Sequence, residues 1–196
     1  MFMRLTGFLG VAALMLGTPI AARGQEATAS PFRAGQYGAN IAINGLTFSS
    51  VDLLKFTSPT RAWVLSASAS GSSQHTTGGI GGATTDNGQG LTLSLQRRFL
   101  RPAHPHVVLY LSPGIQGGFT HDCFTNGLAP GSVCNKIWQA GVVAEAGAEY
   151  VVNAHLGIGA RYRASLLYNR FDFGASRLWS VDASIGQFGA FGALLF

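Results

Sequence analysis

A serine and a charged side chain stand two positions apart at Arg163 and Ser165, which is the spacing of some nucleophile–base pairs. A serine nucleophile needs a neighbouring group that takes up its proton, and an arginine guanidinium stays protonated at neutral pH. His155 could accept a proton, but it precedes Ser165 by ten residues and would lie far from it along one strand. We therefore predict no catalytic residues and no enzymatic activity.

Five charged residues occur at alternate positions of three late segments, where one face carries polar side chains. We interpret them as an interior charge network of salt bridges, because charges removed from water need partners. The alternative is a proton or ion path, or a catalytic carboxylate. The five residues are Glu145, Glu149, Arg161, Arg163 and Asp182.

Two cysteines, Cys123 and Cys134, lie in a polar segment that contains Gly and Pro. In an oxidising compartment this pair predicts a disulfide within a loop. The alternative is a metal site shared with His121 and Asp122, but two Cys and one His lack the ligand count of a closed zinc site. No phosphate-binding glycine motif occurs either, so we predict no metal and no cofactor.

A basic cluster occurs around one predicted turn and comprises Arg97, Arg98, Arg101, His104 and His106. One interpretation is that it binds peptidoglycan or acidic lipid headgroups. The other is that these side chains merely reach phosphates at a membrane interface.

The composition is unusual for a water-soluble domain. Charged residues make up 11% of the chain, whereas soluble domains have about 25%. The net charge of +5 is small, and apart from the group around that turn the basic residues are spread along the chain, which is weak evidence for nucleic-acid binding. A lipid-facing exterior removes the need for a charged surface.

The first residues have the pattern of a secretory signal peptide. Arg4 precedes a mostly apolar stretch that ends in small residues near Ala22 and Gly24. Glycines and a proline interrupt this stretch, and it is shorter than the ~20 apolar residues of a spanning helix. We predict a signal peptide over residues 1–24, a short segment over 25–33 and one domain over 34–196, with a retained membrane anchor as the alternative.

Period-two alternation predicts half-buried β-strands. The clearest case places Leu91, Leu93 and Leu95 on one face and polar side chains, including Arg98, on the other. We predict eight strands, over about residues 35–44, 46–56, 61–71, 89–99, 106–118, 136–151, 155–169 and 178–196. The connections alternate between short turns and longer loops, the longest over residues 72–88 and 120–135, which is typical of outer-membrane barrels.

Aromatic residues fall at the predicted ends of these strands. In an up-and-down barrel, Trp138, Trp179, Phe119 and Tyr168 would gather at one rim. Trp63, Phe56, Phe99, Tyr150 and Phe196 would gather at the other. Interfacial aromatics, above all Trp63, Trp138, Trp179, Tyr150 and Tyr168, are typical of membrane barrels, whereas a soluble β-sandwich would bury its tryptophans.

The last strand changes its face. Trp179, Val181 and Ile185 share one parity, whereas Phe188, Leu194 and Phe196 share the other. A β-bulge near Gly186 would reconcile the two, because one extra residue reverses the side to which the following side chains point.

The chain from about residue 34 to 196 resembles the small eight-stranded bacterial outer-membrane β-barrel proteins. The resemblance rests mainly on the last strand, where Phe188, Leu194 and Phe196 are similar to the signal read by the barrel assembly machinery. It implies an all-β, eight-stranded antiparallel up-and-down transmembrane barrel, exported through a Sec signal to the outer membrane of a Gram-negative envelope. The implied partners are outer-membrane lipid, lipopolysaccharide and the assembly machinery, and the protein is expected to be a monomer.

We expect a structural or surface-interaction role, with a lumen plugged by side chains, since eight strands close around a space that side chains fill. The alternatives are a small passive, porin-like pore and a lipid-modifying enzyme. Lipid A deacylases carry a His-x-Ser pair, and this chain has arginine at the place of the histidine, at Arg163.

Overall fold

The structure is a computed structural model that describes residues 30–44, 47–76, 84–126, 132–173 and 176–196. The predicted signal peptide lies outside this part of the chain. The described residues form eight β-strands. In this part of the chain no helix is long and apolar enough to cross a bilayer. The strands are β1 Tyr37–Asn44, β2 Thr47–Ser58, β3 Arg61–Thr76, β4 Thr84–His104, β5 Val107–Asn126, β6 Ser132–Val151, β7 Leu156–Phe173 and β8 Ser176–Leu195.

The strands close into a barrel in which each strand pairs antiparallel with the next along the chain. The ring is completed between β1 and β8, where Gly38 lies opposite Leu195. The predicted eight-stranded up-and-down barrel is therefore confirmed. Closure matters physically because it leaves no sheet edge with unpaired backbone groups.

The two ends of the barrel differ. At the end that we call the lower end, short connections join β2 to β3, β4 to β5 and β6 to β7, and Phe196 lies beside the start of β1. At the opposite, upper end, the hairpins β3–β4 and β5–β6 extend beyond the rest of the barrel. Their outermost described pairs are Thr76 with Thr84 and Thr125 with Ser132.

These upper extensions correct the predicted loops. Residues 72–76 and 84–88 were expected in a loop but belong to β3 and β4, and most of residues 120–135 belong to β5 and β6. The physical reason is that apolar and polar residues alternate along a strand only where one of its two faces lies in an apolar environment. In the upper extensions both faces of each hairpin are mostly polar, so the period-two pattern disappears although the backbone pairing continues.

Side chains are distributed inside out relative to a soluble protein. On β4, Leu93 and Leu95 are 48% and 45% exposed on the outer surface, whereas Gln96 and Arg98 point inward and are 1% and 0% exposed. The same holds around the ring, where the exposed large hydrophobic residues include Ile115, Val142, Ile158, Leu166 and Val181. The barrel thus has an apolar exterior and a largely polar interior.

A bulge in β8 lies where the change of parity predicted it. The pairing with β7 shifts between Arg163, opposite Gln187, and Ala164, opposite Ile185, which leaves Gly186 as the extra residue. Gly186 has a φ of 101°, a conformation that costs glycine little and other residues much more. The bulge allows Val181, Ile185, Phe188 and Leu194 all to face outward.

The lower end of the lumen contains a cluster of buried apolar side chains, and a segment before β1 contributes to it. Phe32 is 1% exposed and stacks on Phe56, with 4.5 Å between the ring centroids. The segment is held by hydrogen bonds from Gly35 N to the carbonyl of Phe56 (2.8 Å) and from Ser30 Oγ to the carbonyl of Pro59 (2.6 Å). The core also contains Leu54, Ala62, Val64, Leu100, Val108, Tyr110, Val151, Phe191, Ala193 and Leu195.

Replacing Phe32 with alanine should lower the free energy of unfolding by about 3 kcal/mol, because the ring is fully buried against Phe56. Urea unfolding in lipid vesicles, followed by tryptophan fluorescence, measures this change. The control is Arg33→Ala, since Arg33 is the exposed neighbour in the same segment. Equal effects of the two substitutions would mean that the packing of Phe32 against Phe56 does not stabilise the barrel.

Candidate functional site

The centre of the lumen holds four charged side chains that we call the ion cluster: Asp52, Arg98, Glu145 and Arg161. Arg98 Nη2 lies 3.1 Å from Glu145 Oε1. Arg161 Nη1 lies 2.8 Å from Asp52 Oδ2 and 3.4 Å from Glu145 Oε2. The four residues come from β2, β4, β6 and β7, so their contacts run across the interior of the barrel.

Neutral side chains complete the ion cluster. Arg98 Nε donates to Ser112 Oγ (3.1 Å), and Arg161 Nη2 donates to Ser50 Oγ (2.8 Å). The Tyr110 hydroxyl donates to Glu145 Oε1 (3.2 Å), and its ring centroid lies 4.0 Å from the Arg98 guanidinium carbon. Two guanidinium groups therefore face two carboxylates, and this compensation is what makes burial of the four charges tolerable.

The membership of the ion cluster differs from the predicted interior charge network. Glu145 and Arg161 were predicted, and the structure brings them together. Asp52 and Arg98 were not placed in the network. Arg98 had instead been grouped with the basic residues at the rim, and the structure corrects this, because its side chain is fully buried in the lumen. The available signal was its parity, which places it on the polar face of β4.

The other three predicted members lie outside the ion cluster. Arg163 donates to the Gln116 side chain, and Asp182 accepts hydrogen bonds from Asn169 and Ser180. Glu149 lies closer to the lower end, and its Oε1 has no hydrogen-bond partner among the described residues. The five residues therefore do not form a single network. The alternation along a strand predicts whether a side chain points into the lumen, but not how high along the barrel axis it lies.

A polar cavity of about 280 Å³ lies above the ion cluster. Hydroxyl, carboxamide and guanidinium groups supply most of its lining. Exposure increases upward from this level, since Ser66 of β3 is buried, Ser68 is half-buried and Ser70 is exposed. The lumen thus opens toward the upper end. The cavity lining consists of Ser50, Ser68, Thr92, Gln116, Gln139, Arg163, Ser165, Leu167, Ser184 and Gln187.

The structure does not bring Ser165 and His155 together. Ser165 lines the upper cavity, whereas His155 lies at the lower end, where its Nδ1 donates to the carbonyl of Leu195 over 3.1 Å. His155 thus precedes the lower end of β7, whereas Ser165 lies well above it on that strand, so the two cannot exchange a proton directly.

Aromatic side chains form two belts on the outer surface. In the upper belt, Phe119 contacts Trp138 and Tyr168 contacts Trp179, with ring centroids 5.8 Å and 6.4 Å apart. The lower belt contains Trp63, Phe99, Tyr150 and Phe196. Phe56 was expected there, but it is buried in the lumen against Phe32, which corrects that assignment. Trp138 does not begin its strand, because β6 continues above the upper belt.

Four basic residues of the predicted rim cluster do lie near the lower turns, namely Arg97, Arg101, His104 and His106. The Arg97 guanidinium carbon lies 4.8 Å from the centroid of the Trp63 ring, and Arg97 Nη2 donates to Thr57 Oγ1 (3.0 Å). The His104 and His106 rings are 6.3 Å apart, and His106 Nδ1 donates to the carbonyl of Val151 (3.1 Å). Arg97 thus packs on an outward-facing aromatic ring, which is how a cation reaches an interface.

Cys123 and Cys134 form a disulfide. It joins directly opposite residues of β5 and β6 in the upper extension, rather than closing a loop as expected. His121 Nε2 lies 3.5 Å from Cys123 Sγ, so His121 and the two sulfurs are close together. With both sulfurs bonded to each other, however, neither is a thiolate that could bind a metal ion.

Replacing both cysteines with serine should loosen the upper part of the β5–β6 hairpin without opening the barrel, because the disulfide lies above the aromatic belt. Closing so short a segment contributes about 2–3 kcal/mol in the chain-entropy model. Trypsin cleavage after the exposed Lys136 measures this local stability, and we expect faster cleavage in the double variant. Reduced native protein should match it, and unchanged cleavage in both would contradict the prediction.

The end of β8 carries the predicted assembly residues on the outer surface. Phe188, Leu194 and Phe196 are all exposed there, together with the small residues Ala190 and Gly192 on the same face. Phe196 N and the Phe196 carbonyl both hydrogen-bond to the backbone of Tyr37, at 3.0 and 2.9 Å. The last residue is therefore part of the seam that closes the barrel.

Comparison with known proteins gives little beyond architecture. No family model matches the chain, and no curated protein matches it. Ail, the attachment invasion locus protein of Yersinia pestis, has a similar solved structure, with a TM-score of 0.43 and 11% identity over 83% of this chain and 99% of that one. The structure of Ail with the heparin analogue sucrose octasulfate gives a TM-score of 0.45 and 10% identity over 82% and 94%. At these low scores, the description of the fold depends on the strand pairing of this chain itself.

Proposed function

We propose that this chain is an integral outer-membrane protein whose barrel spans the lipid, whose lumen is closed by side chains, and whose role is structural or interactive rather than enzymatic. The observation that carries the proposal is the reversed distribution of side chains. Leu93 and Leu95 are exposed on the same strand on which Gln96 and Arg98 are buried. In water this arrangement would be unfavourable, because soluble monomers rarely expose a contiguous surface of large apolar side chains.

The dimensions of the apolar band support a membrane span. On β4 the outward-facing residues from Leu91 to Phe99 are apolar except Arg97, which packs over Trp63 in the lower belt. Nine residues of a tilted strand match the ~9–11 that cross a bilayer. The aromatic belts lie at the two edges of this band, where amphipathic rings favour the headgroup region. A closed barrel also satisfies the backbone hydrogen bonds that hydrocarbon cannot.

The cell envelope is the compartment that suits these features. Spanning β-barrels of this kind belong to outer membranes, and the disulfide suits an oxidising compartment. The proposal includes export through the signal at residues 1–24, assembly by the barrel machinery and contact with lipopolysaccharide. The lower end would face the periplasm and the upper extensions the exterior, since outer-membrane barrels have short periplasmic turns.

The lumen contents favour a plug over a pore. Phe32 and the apolar core fill the lower end, and the ion cluster links opposite walls above them. An ion entering from the upper cavity would have to break pairs such as Arg161–Asp52. The separation of Ser165 from His155 likewise favours a role without catalysis.

Conductance in planar bilayers tests the plug. Purified protein should insert without stable open events, while a large porin under the same conditions supplies the positive control. Insertion is established separately by recovery of the protein with lipid vesicles and its resistance to carbonate extraction. Stable conductance steps that depend on the protein would replace the plug with the pore, and a protein dispersed in water without any amphiphile would exclude the membrane span.

A further inference from the structure

We propose that the upper cavity of the lumen is a binding site for a small acidic, hydroxyl-bearing solute of monosaccharide size, of the sugar-acid class. The cavity has a volume of about 280 Å³ and lies between the ion cluster and the open upper end. A plug requires only that the lower lumen be closed, so the proposed plug does not account for a polar cavity above it.

The charge of the cavity favours an anion. Within the ion cluster, two guanidinium groups are matched by the carboxylates of Asp52 and Glu145. Arg163 lines the cavity, and its side-chain hydrogen bond goes to the neutral Gln116. In the part of the chain that the structure describes, no carboxylate lies within ion-pairing distance of Arg163.

The neighbouring carboxylates form their contacts with residues other than Arg163. Glu145 lies opposite it across the β6–β7 ladder, but the Glu145 oxygens contact Arg98, Arg161 and Tyr110. Asp182 lies higher in the lumen, and its Oδ2 is held by Asn169 and Ser180. An incoming carboxylate could therefore take the bidentate place on the guanidinium that no protein group fills.

The rest of the lining suits the hydroxyl groups of a sugar. Serine and threonine hydroxyls both donate and accept hydrogen bonds, and so do the carboxamides of glutamine. Ser68, Thr92, Ser165 and Ser184 supply hydroxyls from different strands, while Gln116, Gln139 and Gln187 supply carboxamides. Such convergent polar groups around one cation are typical of a site that fixes the orientation of a small ligand.

Solution NMR of the labelled barrel in lipopolysaccharide-free nanodiscs tests the site, with glucuronate as the probe and glucose as the uncharged comparison. Glucuronate should cause saturable shifts of backbone amides around the cavity, at Gln116, Ser165 and Ser184. Glucose should bind at least roughly tenfold more weakly, because it lacks the charge-assisted hydrogen bonds to Arg163.

The matched variants are Arg163→Gln and Arg170→Gln, since both remove one arginine from β7 but only Arg163 lines the cavity. Arg163→Gln should weaken glucuronate binding at least roughly tenfold, and Arg170→Gln should leave it unchanged. Equal binding of glucuronate and glucose, unchanged binding by Arg163→Gln, or no shifts at the cavity amides would each overturn the proposal. If Arg163→Gln fails to fold, the comparison of the two sugars on the native protein still decides whether charge is required. None of these results would affect the membrane span or the plug.

Discussion

Replacing Leu95 with arginine is expected to lower the free energy of unfolding in lipid by about 2–4 kcal/mol, the cost of an arginine at the middle of the bilayer. Leu95 lies halfway along the apolar band of β4 and is 45% exposed on its outer face. An arginine there cannot reach water easily from the centre of the hydrocarbon. Reversible urea unfolding from lipid vesicles measures the difference.

The control for this substitution is Gln89→Arg. Gln89 has the same parity on the same strand and is exposed, but it lies above the apolar band, opposite His121. It should change stability little, because that part of the strand faces water. If both arginines were tolerated equally, the outer surface of β4 would not be in contact with acyl chains.

Replacing Glu145 with glutamine is expected to destabilise the barrel by about 3–5 kcal/mol, the usual cost of leaving a buried charge without its partner. Glu145 is 1% exposed, and its two oxygens contact both Arg98 and Arg161. Glutamine keeps the shape but removes the negative charge. The net charge of the ion cluster would then change from zero to positive, and the excess charge would be buried in the lumen without a partner.

Glu149→Gln is the matched control for this second substitution. Glu149 lies on the same strand and is 2% exposed, but it makes no ion pair within 4 Å among the described residues. We expect a clearly smaller loss of stability in this variant. The loss is measured by the same urea unfolding and by the temperature at which the folded protein converts to the unfolded form on denaturing gels. Comparable losses in the two variants would contradict the prediction, because they would show that the cost does not come from breaking the ion pairs of Glu145.

Local features of the fold could be predicted from the sequence because they depend on neighbouring residues. The alternation around Leu91, Leu93 and Leu95 identified the outer face of β4. The parity change in the last strand located the bulge at Gly186. In both cases one face of the strand lies in an apolar environment and the other in a polar one. The alternation of residue types therefore indicates the orientation of the side chains.

The upper extensions could not be predicted for the converse reason. Residues such as Ser73 and Asn87 pair across β3 and β4, but both faces of that hairpin are polar. Serine, threonine and glycine in such a segment are typical of loops as well. Backbone pairing alone leaves little trace in side-chain type.

The site needed information that strand pairing does not contain. Arg161 and Asp52 meet across the lumen although β7 and β2 are not neighbours in the sheet. Which side chains meet depends on the stagger of the closed barrel, which sets the height of each residue. Phe32 was missed because it precedes the first strand and carries no periodic pattern.

The most direct test of the central claim is a measurement of which residues contact acyl chains, by nuclear Overhauser effects between protein amides and lipid tails in nanodiscs. The account predicts contacts for Leu91, Leu93, Leu95 and Trp138, and none for Ser94, Gln96 or Arg98. The opposite result would contradict the account. In that case the leucines would show no contact with lipid, and Ser94, Gln96 and Arg98 would lie on the outer surface.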